Sequence, residues 1–298
     1  MQVETITDHI KLIDSPINGV TRTLGTYLVS GEETVVIDPG PTTQTNGVLE
    51  AMNRLNVKSL KAVLLTHIHL DHGGGSWKLL ETYPDAKLYC HPRGASHMVY
   101  PTRLREGAQR LFGDGIKEYG KITGVDAERV IESKNRDTVD LGGINLEVYW
   151  TPGHSSHSQC YFEPLSRTAI VGDAVGHNVW QDKPIIPTSP PPHNPEQAIQ
   201  SIEMIKSLRP EILCIAHFGA HKNPEEHLDR IKQRTELWQS LALRAVDDGL
   251  ELEGFEKLVW AEDDQLSRLL TGLQRTDQSL TNSLLGFYMY AKWKKNTN

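Results

Sequence analysis

Three histidines and one aspartate lie within six consecutive positions of this 298-residue chain. They are His67, His69, Asp71 and His72, in the stretch at residues 66–75. Neutral imidazole and ionised carboxylate groups are both good ligands for zinc and for similar divalent ions. The spacing therefore predicts a metal site, and the alternative is a histidine-rich turn on the surface.

The residues on either side of this stretch indicate which elements position it. The apolar run at residues 62–65 is typical of a short buried strand. The glycines Gly73, Gly74 and Gly75 permit a tight turn that side chains would block. The four polar residues are thus expected where a strand ends and the chain turns, and this context favours metal binding over a surface turn.

The stretch resembles the first metal-binding motif of the metallo-β-lactamase superfamily, in the form found in glyoxalase II and in lactonases. Three later segments, Thr-Pro-Gly-His, Val-Gly-Asp and Ala-His, resemble the remaining motifs in the family's order, and they contribute His154, Asp173 and His217. The resemblance covers about residues 10–220. It implies an α+β fold, the αββα sandwich of this family, with two metal ions at one edge.

The resemblance also implies a set of seven ligands around two divalent metal ions. One ion takes His67, His69 and His154, the other takes Asp71, His72 and His217, and Asp173 bridges the two. Zinc is the first choice of metal because mixed nitrogen and oxygen ligands suit it, although they also suit iron, manganese and cobalt.

Such a centre predicts a hydrolase that attacks an ester-like bond, in a lactone or a thioester, with metal-bound hydroxide. By analogy with the family, Asp71 is expected to pass a proton to the leaving group. His157, three positions after His154, is expected to orient the ligands or to polarise a substrate oxygen. The alternative for His157 is a histidine at the edge of the core, bonded to the backbone.

Other polar residues also have two interpretations. Asp38 is a turn residue in an Asp-Pro-Gly sequence or a carboxylate that supports the metal ligands, and the turn is favoured. Some lactonases carry a tyrosine three residues after the bridging aspartate. That position here is Gly176, and either His177, which follows it, or a residue of the lid could take the tyrosine's place. His193, in the proline-rich segment 185–195, is expected to be solvated.

Two other functions remain open at this stage, namely phosphodiester cleavage, as in related nucleases, and metal binding without catalysis. The net charge of −7 argues against a surface that holds RNA, and the complete ligand set argues against a non-catalytic role. We therefore expect a small-molecule substrate as the partner, with no nucleic acid and no membrane.

After the last motif the sequence shows only helical patterns of apolar residues. Residues 1–222 are therefore predicted to form the catalytic domain and residues 223–298 a helical extension. The apolar stripes of the extension, one of them at residues 266–273, are expected to face the core or, alternatively, a second copy in a homodimer. The segment 93–124 is a lid over the cleft or a plain pair of surface helices.

The three cysteines, Cys90, Cys160 and Cys214, lie in strand-like runs and are expected to be buried free thiols. The first twenty residues lack the pattern of a signal peptide, and no apolar run reaches the ~20 residues of a membrane span. These features predict a cytoplasmic protein.

Overall fold

The computed structural model describes residues 1–178, 185–269 and 278–297. They form two compact units. Unit 1 comprises Met1–Trp150, His157–Gly172 and Glu211–Lys222, and unit 2 comprises Thr151–Ser156, Asp173–Pro210 and Asn223–Asn298. The chain thus passes from one unit to the other several times, and the simple division at residue 222 stays a prediction.

Unit 1 contains a seven-stranded sheet whose strands are neighbours in sequence order. The strands are β1 (Gln2–Thr5), β2 (Ile10–Asp14), β3 (Gly25–Ser30), β4 (Thr34–Ile37), β5 (Ala62–Leu64), β6 (Lys87–Cys90) and β7 (Val130–Glu132). The first four pair antiparallel, whereas β4 to β7 pair parallel. The parallel part matters for function because the carboxyl ends of its strands meet at one edge of the sheet.

Unit 1 also contains a six-stranded sheet with the order β15-β14-β11-β10-β9-β8. The strands are β8 (Thr138–Asp140), β9 (Asn145–Trp150), β10 (Gln159–Glu163), β11 (Thr168–Gly172), β14 (Ile212–Ile215) and β15 (Gly219–His221). Only β11 and β14 pair parallel. Both sheets are therefore mixed.

The helices of unit 1 lie in the connections of the first sheet. They are α1 (Thr45–Arg54), α2 (Leu70–Gly73), α3 (Ser76–Thr82), α4 (Pro92–Val99), α5 (Thr102–Phe112) and the 3₁₀ segments Gly113–Tyr119 and Ala127–Arg129. Met52 of α1 and Leu79 of α3 pack with Val36 and Val63 of the first sheet. The opposite face of that sheet packs on the second sheet in a separate cluster.

Unit 2 is mainly helical. It contains β12 (His177–Asn178), β13 (Ile185–Ile186), α6 (Pro195–Ser207), α7 (Pro224–Asp247), α8 (Leu252–Glu262), α9 (Asp264–Leu269) and α10 (Gln278–Thr297). Trp238, Phe255 and Phe287 are the large side chains of its core. The predicted stripe at residues 266–273 enters this core at Leu266, and its residues from 270 onward lie outside the described part of the chain.

These elements confirm the predicted fold class, two mixed sheets flanked by helices with further helices at the carboxyl end. The three cysteines are buried free thiols, as predicted. Among the described helices, none has the length and apolar character that a membrane crossing requires. Met289 and Trp293 of α10 are about half exposed, and a homodimer that would cover them stays a prediction.

A buried ion pair joins α7 to the end of α8 in unit 2. Arg234 donates two hydrogen bonds to Asp263, from Nε to Oδ2 (2.7 Å) and from Nη2 to Oδ1 (3.0 Å). The indole Nε1–H of Trp238 donates to the same carboxylate (2.9 Å). Burial raises the pKa of Asp263, but these donors outweigh it, so that the pKa lies below its usual value.

We expect Asp263→Asn to lower the free energy of unfolding by about 3–5 kcal/mol, because it leaves the buried guanidinium without its counter-charge. Denaturant unfolding of purified protein measures this. Glu262→Gln is the matched control, since Glu262 pairs with Arg244 of α7 on the exposed surface and exposed pairs contribute little. Equal effects of the two substitutions would contradict the prediction.

Candidate metal centre

The histidine-rich stretch begins where β5 ends, as its sequence predicts. Because β4 and β5 are parallel neighbours, Asp38 after β4 and Thr66 after β5 lie side by side. The backbone then approaches another segment closely, where the Gly75 N–H donates to the Gly40 carbonyl (2.8 Å). A Cβ at Gly75 would lie 2.2 Å from Thr45 Oγ1, so this turn excludes any side chain there.

The buried carboxylate of Asp38 accepts three hydrogen bonds. Thr66 donates from its backbone N–H to Oδ1 (2.8 Å) and from Oγ1 to Oδ2 (2.6 Å), and His72 Nδ1 lies 3.0 Å from Oδ2. Because a carboxylate only accepts, Nδ1 of His72 carries its proton and Nε2 is the basic nitrogen. Asp38 therefore orients the ring of His72, a predicted metal ligand, and the φ of +50° at Asp38 fits the predicted turn as well.

Thr66 fixes the tautomer of His67 in the same way. His67 Nδ1 lies 3.2 Å from Thr66 Oγ1. The hydroxyl has one hydrogen, which it donates to Asp38, so it accepts from the Nδ1–H of His67. The basic Nε2 of His67, like that of His72, is thus the nitrogen that could bind a metal ion.

Asp71, His72 and His217 of unit 1 converge on one point. His72 Nε2 lies 3.7 Å from Asp71 Oδ2, and His217 Nε2 lies 3.6 Å from the same oxygen. Ligands bound at zinc distances with tetrahedral angles lie about 3.4 Å apart. Both measured distances are close to this value, and all three atoms lie within 4.8 Å of one another, so the group could hold a divalent ion.

The other predicted ligands of unit 1 surround this group. The ring centroid of His67 lies 4.0 Å from that of His72 and 4.6 Å from that of His69. His157 faces the same rings, 5.6 Å from His69 and stacked 6.3 Å from His67. His67 is buried, whereas His69 and His157 are partly exposed, so the group is open to solvent on one side.

Unit 2 contains the two remaining predicted ligands, His154 and Asp173, both buried. His154 Nε2 lies 3.7 Å from Asp173 Oδ2. His154 Nδ1 donates to the carbonyl oxygen of Thr188 (2.7 Å). His154 and Asp173 thus repeat the arrangement of His72 and Asp71. In each pair a protein oxygen accepts from Nδ1 of the histidine, and Nε2 points toward an oxygen of the aspartate.

A comparison with protein families agrees with this geometry. The model of the family described as the metallo-beta-lactamase superfamily matches residues 21–217. The chain belongs to this superfamily. The matched residues run from the loop before β3 to His217, the last predicted ligand.

Individual members of the superfamily are similar over most of the chain. The metallo-beta-lactamase fold-containing protein ST1585 from Sulfurisphaera tokodaii is 28% identical over 218 residues, which are 71% of this chain and 79% of that protein. Its crystal structure has a TM-score of 0.67 at 25% identity and covers 76% of this chain and 86% of its own.

Two further relatives extend the comparison. A metallo-beta-lactamase family protein from Thermus thermophilus has a TM-score of 0.71 at 19% identity, over 98% of this chain and 95% of its own, so it shares the fold. A probable metallo-hydrolase of Bacillus subtilis, YybB, is 24% identical over 195 residues, 64% of this chain and 78% of that protein. In a member of this superfamily, the clusters of histidine and aspartate fit divalent metal binding.

The segment 93–124 lies beside the histidine-rich stretch. Thr42 Oγ1 donates to the Lys121 carbonyl and Thr43 Oγ1 to the Glu118 carbonyl (both 2.7 Å). Burial raises the pKa of Tyr119, and the negative charge of Asp71 raises it further, so this phenol lies near the predicted metal site. These contacts favour the lid, although α5 buries none of its residues.

The solvated position predicted for His193 is wrong. His193 is buried, with its ring 4.8 Å from that of Phe287. Its Nδ1–H donates to the Gly153 carbonyl (2.9 Å). Burial, together with the charge of His154, lowers its pKa to about 3. It thus supports the turn that contains His154, a role for which a proline-rich sequence gives no signal.

We expect Asp38→Asn to weaken zinc binding about 10- to 100-fold, because the amide replaces one of the acceptor oxygens that orient His72. Asparagine tolerates a positive φ, so the backbone should be kept. Chelator competition measures the affinity, and a thermal melt checks the fold. The control is Asp137→Asn. The carboxylate of Asp137 accepts a hydrogen bond from the Tyr89 hydroxyl (2.6 Å), and its replacement should leave zinc binding unchanged. Unchanged affinity in Asp38→Asn would show that Asp38 does not support the ligands.

Proposed function

We propose that this protein is a metal-dependent hydrolase of an ester-like bond, in a lactone or a thioester. The observation that carries this proposal is the convergence of Asp71, His72 and His217, with the tautomer of His72 fixed by Asp38. A site built in this way suits a divalent metal ion, and membership of the superfamily supports hydrolysis as the reaction.

The proposed centre holds two divalent ions, with zinc as the first choice. His67, His69 and His154 bind one, Asp71, His72 and His217 bind the other, and Asp173 bridges them. The chain's connectivity supports the inclusion of the two ligands from unit 2. His154 is three residues from His157, and Asp173 directly follows Gly172 at the end of β11.

Bound divalent ions would lower the pKa of a coordinated water to about 7 and polarise a carbonyl group. The protein's own groups would then handle protons and orientation. Asp71, about a quarter exposed, would carry a proton to the leaving group. His157, partly exposed beside His67 and His69, would donate a hydrogen bond to a substrate oxygen.

Covalent catalysis by a thiol is a poor alternative. Burial raises the pKa of Cys160 to about 12, and burial together with the charge of Glu132 does the same for Cys90. At neutral pH such thiols are protonated, and the thiol is not the nucleophilic form. An activated water remains the nucleophile that suits this site.

The surroundings favour a small acyl substrate over a phosphodiester. Tyr119 and Phe112, whose rings lie 5.5 Å apart, give the lid segment an aromatic surface on which an acyl chain can pack. Burial, together with the charge of Asp71, raises the pKa of Tyr119, so its phenol is protonated at neutral pH. The net charge of −7 is unfavourable for a polyanion such as RNA.

The test is a substrate panel on zinc-loaded protein, with a lactone, a thioester, a phosphodiester and an RNA. We expect the lactone or the thioester to be hydrolysed and metal analysis to find two ions per chain. Removing the metal with a chelator should abolish the activity, and zinc should restore it. The His69→Ala variant should lose most of the activity because it lacks one predicted ligand. The control is His9→Gln, which should keep the activity, since His9 is a half-buried histidine between β1 and β2.

Turnover of the phosphodiester alone would contradict the substrate class. Full activity in His69→Ala, or in metal-free protein, would contradict the mechanism.

A further inference from the structure

His177 is the first residue after Asp173 with a polar side chain. Ala174 and Val175 are buried. Gly176 has a φ of +70°, and a Cβ there would lie 2.3 Å from the Ile186 carbonyl oxygen. No side chain therefore fits at position 176. The Gly176 N–H donates to the Asp173 carbonyl (3.3 Å), and this turn leads directly into β12 and His177.

Thr188 contacts two histidines of unit 2 with its two oxygen atoms. Its carbonyl oxygen accepts from His154 Nδ1 (2.7 Å), and its Oγ1 lies 2.9 Å from His177 Nδ1. Both rings therefore contact the same residue. His177 lies next to a predicted metal ligand although 23 positions separate them in the sequence.

The segment that contains Thr188 is itself held in place by α10. Ser189 donates from its backbone N–H to Ser283 Oγ (3.3 Å) and from its hydroxyl to the Ser283 carbonyl (3.2 Å). A Cβ at Gly286 would lie 1.8 Å from the Ser189 carbonyl oxygen. The absence of a side chain there lets the segment rest directly on the helix, so Thr188 has a fixed position.

The two histidines differ in exposure. His154 is buried, whereas His177 is partly exposed. Both have a fixed Nδ1, which sets the direction of Nε2. A buried imidazole held in this way suits a metal ligand, and a partly exposed one suits contact with a ligand from solution.

We propose that His177 is a further catalytic residue, which donates a hydrogen bond from Nε2–H to an oxygen of the substrate, and that Thr188 is its positioning residue. In this arrangement the hydroxyl of Thr188 donates to Nδ1, which places the ring proton on Nε2. The inference rests on the proposed hydrolase function, and it adds a substrate contact that the seven predicted ligands and His157 do not supply.

Three substitutions test the two roles separately. His177→Gln removes the imidazole. Thr188→Val removes the hydroxyl but keeps the backbone carbonyl that holds His154, and Thr188→Ser keeps both oxygens. His9→Gln serves as the histidine control. For each zinc-loaded variant we would measure metal content, kcat and KM for the substrate that the panel identifies, and the Kd of 4-hydroxybutyrate, the product of a simple lactone, by NMR titration.

We expect His177→Gln to lower kcat about 100-fold, the effect of removing one donor to a reacting oxygen. Thr188→Val should lower kcat about 10-fold because the ring is less well oriented, and Thr188→Ser should stay within about twofold since its hydroxyl is kept. Both His177→Gln and Thr188→Val should weaken binding of the hydroxy acid, with the metal content unchanged.

Wild-type kcat and Kd in His177→Gln would overturn the inference, and so would a wild-type protein that does not bind the hydroxy acid. Loss of metal in Thr188→Val would also overturn it, because Thr188 would then act on His154 alone. Failure of the proposed function looks different: the wild type would hydrolyse neither lactone nor thioester, and the Kd values of the variants would still decide whether His177 contacts a ligand oxygen.

Discussion

One buried carboxylate, that of Asp38, connects two strands of the first sheet with two histidines of the predicted metal centre. A buried carboxylate is costly unless its oxygens accept hydrogen bonds, and here Thr66 and His72 supply them. Because the hydroxyl of Thr66 is used in this way, it can only accept from His67. A continuous chain of hydrogen bonds therefore runs from His67 through Thr66 and Asp38 to His72, and it sets the tautomer of both rings.

This chain of hydrogen bonds exists because β4 and β5 are parallel neighbours. Their carboxyl ends bring Asp38 and Thr66 together at one edge of the sheet, and the first predicted ligand, His67, is the next residue. In unit 2 a different acceptor orients the imidazole, since the backbone carbonyl of Thr188 accepts a hydrogen bond from Nδ1 of His154. In both units a protein oxygen fixes Nδ1, so each imidazole has its orientation before any ion arrives.

Local patterns in the sequence predict much of this centre. The strand before His67 and the glycines after His72 are short-range features, and the structure has both. The fold class followed from a resemblance in motif order, and family membership confirms it. Asp-Pro-Gly is a turn signal by itself, so the sequence does not reveal that Asp38 makes the turn and also accepts a hydrogen bond from His72, a predicted ligand.

Other features could not be predicted because they depend on contacts between distant segments. His193 is in a polar, proline-rich segment, but Phe287 of α10 covers it. Thr188 acts partly through its backbone carbonyl, which every residue possesses, so no residue type could reveal it. The two-residue strands β12 and β13 are too short for a periodic pattern.

The contact between Ser189 and α10 has a consequence for shortened forms of this protein. A fragment that ends at residue 222 would retain every predicted ligand, yet it would lack Ser283 and Gly286, on which the neighbour of Thr188 rests. The carbonyl that holds His154 would then lose its support. The carboxyl-terminal helix therefore supports the position of His154, a predicted ligand, and the list of predicted ligands alone does not define the smallest functional piece of the chain.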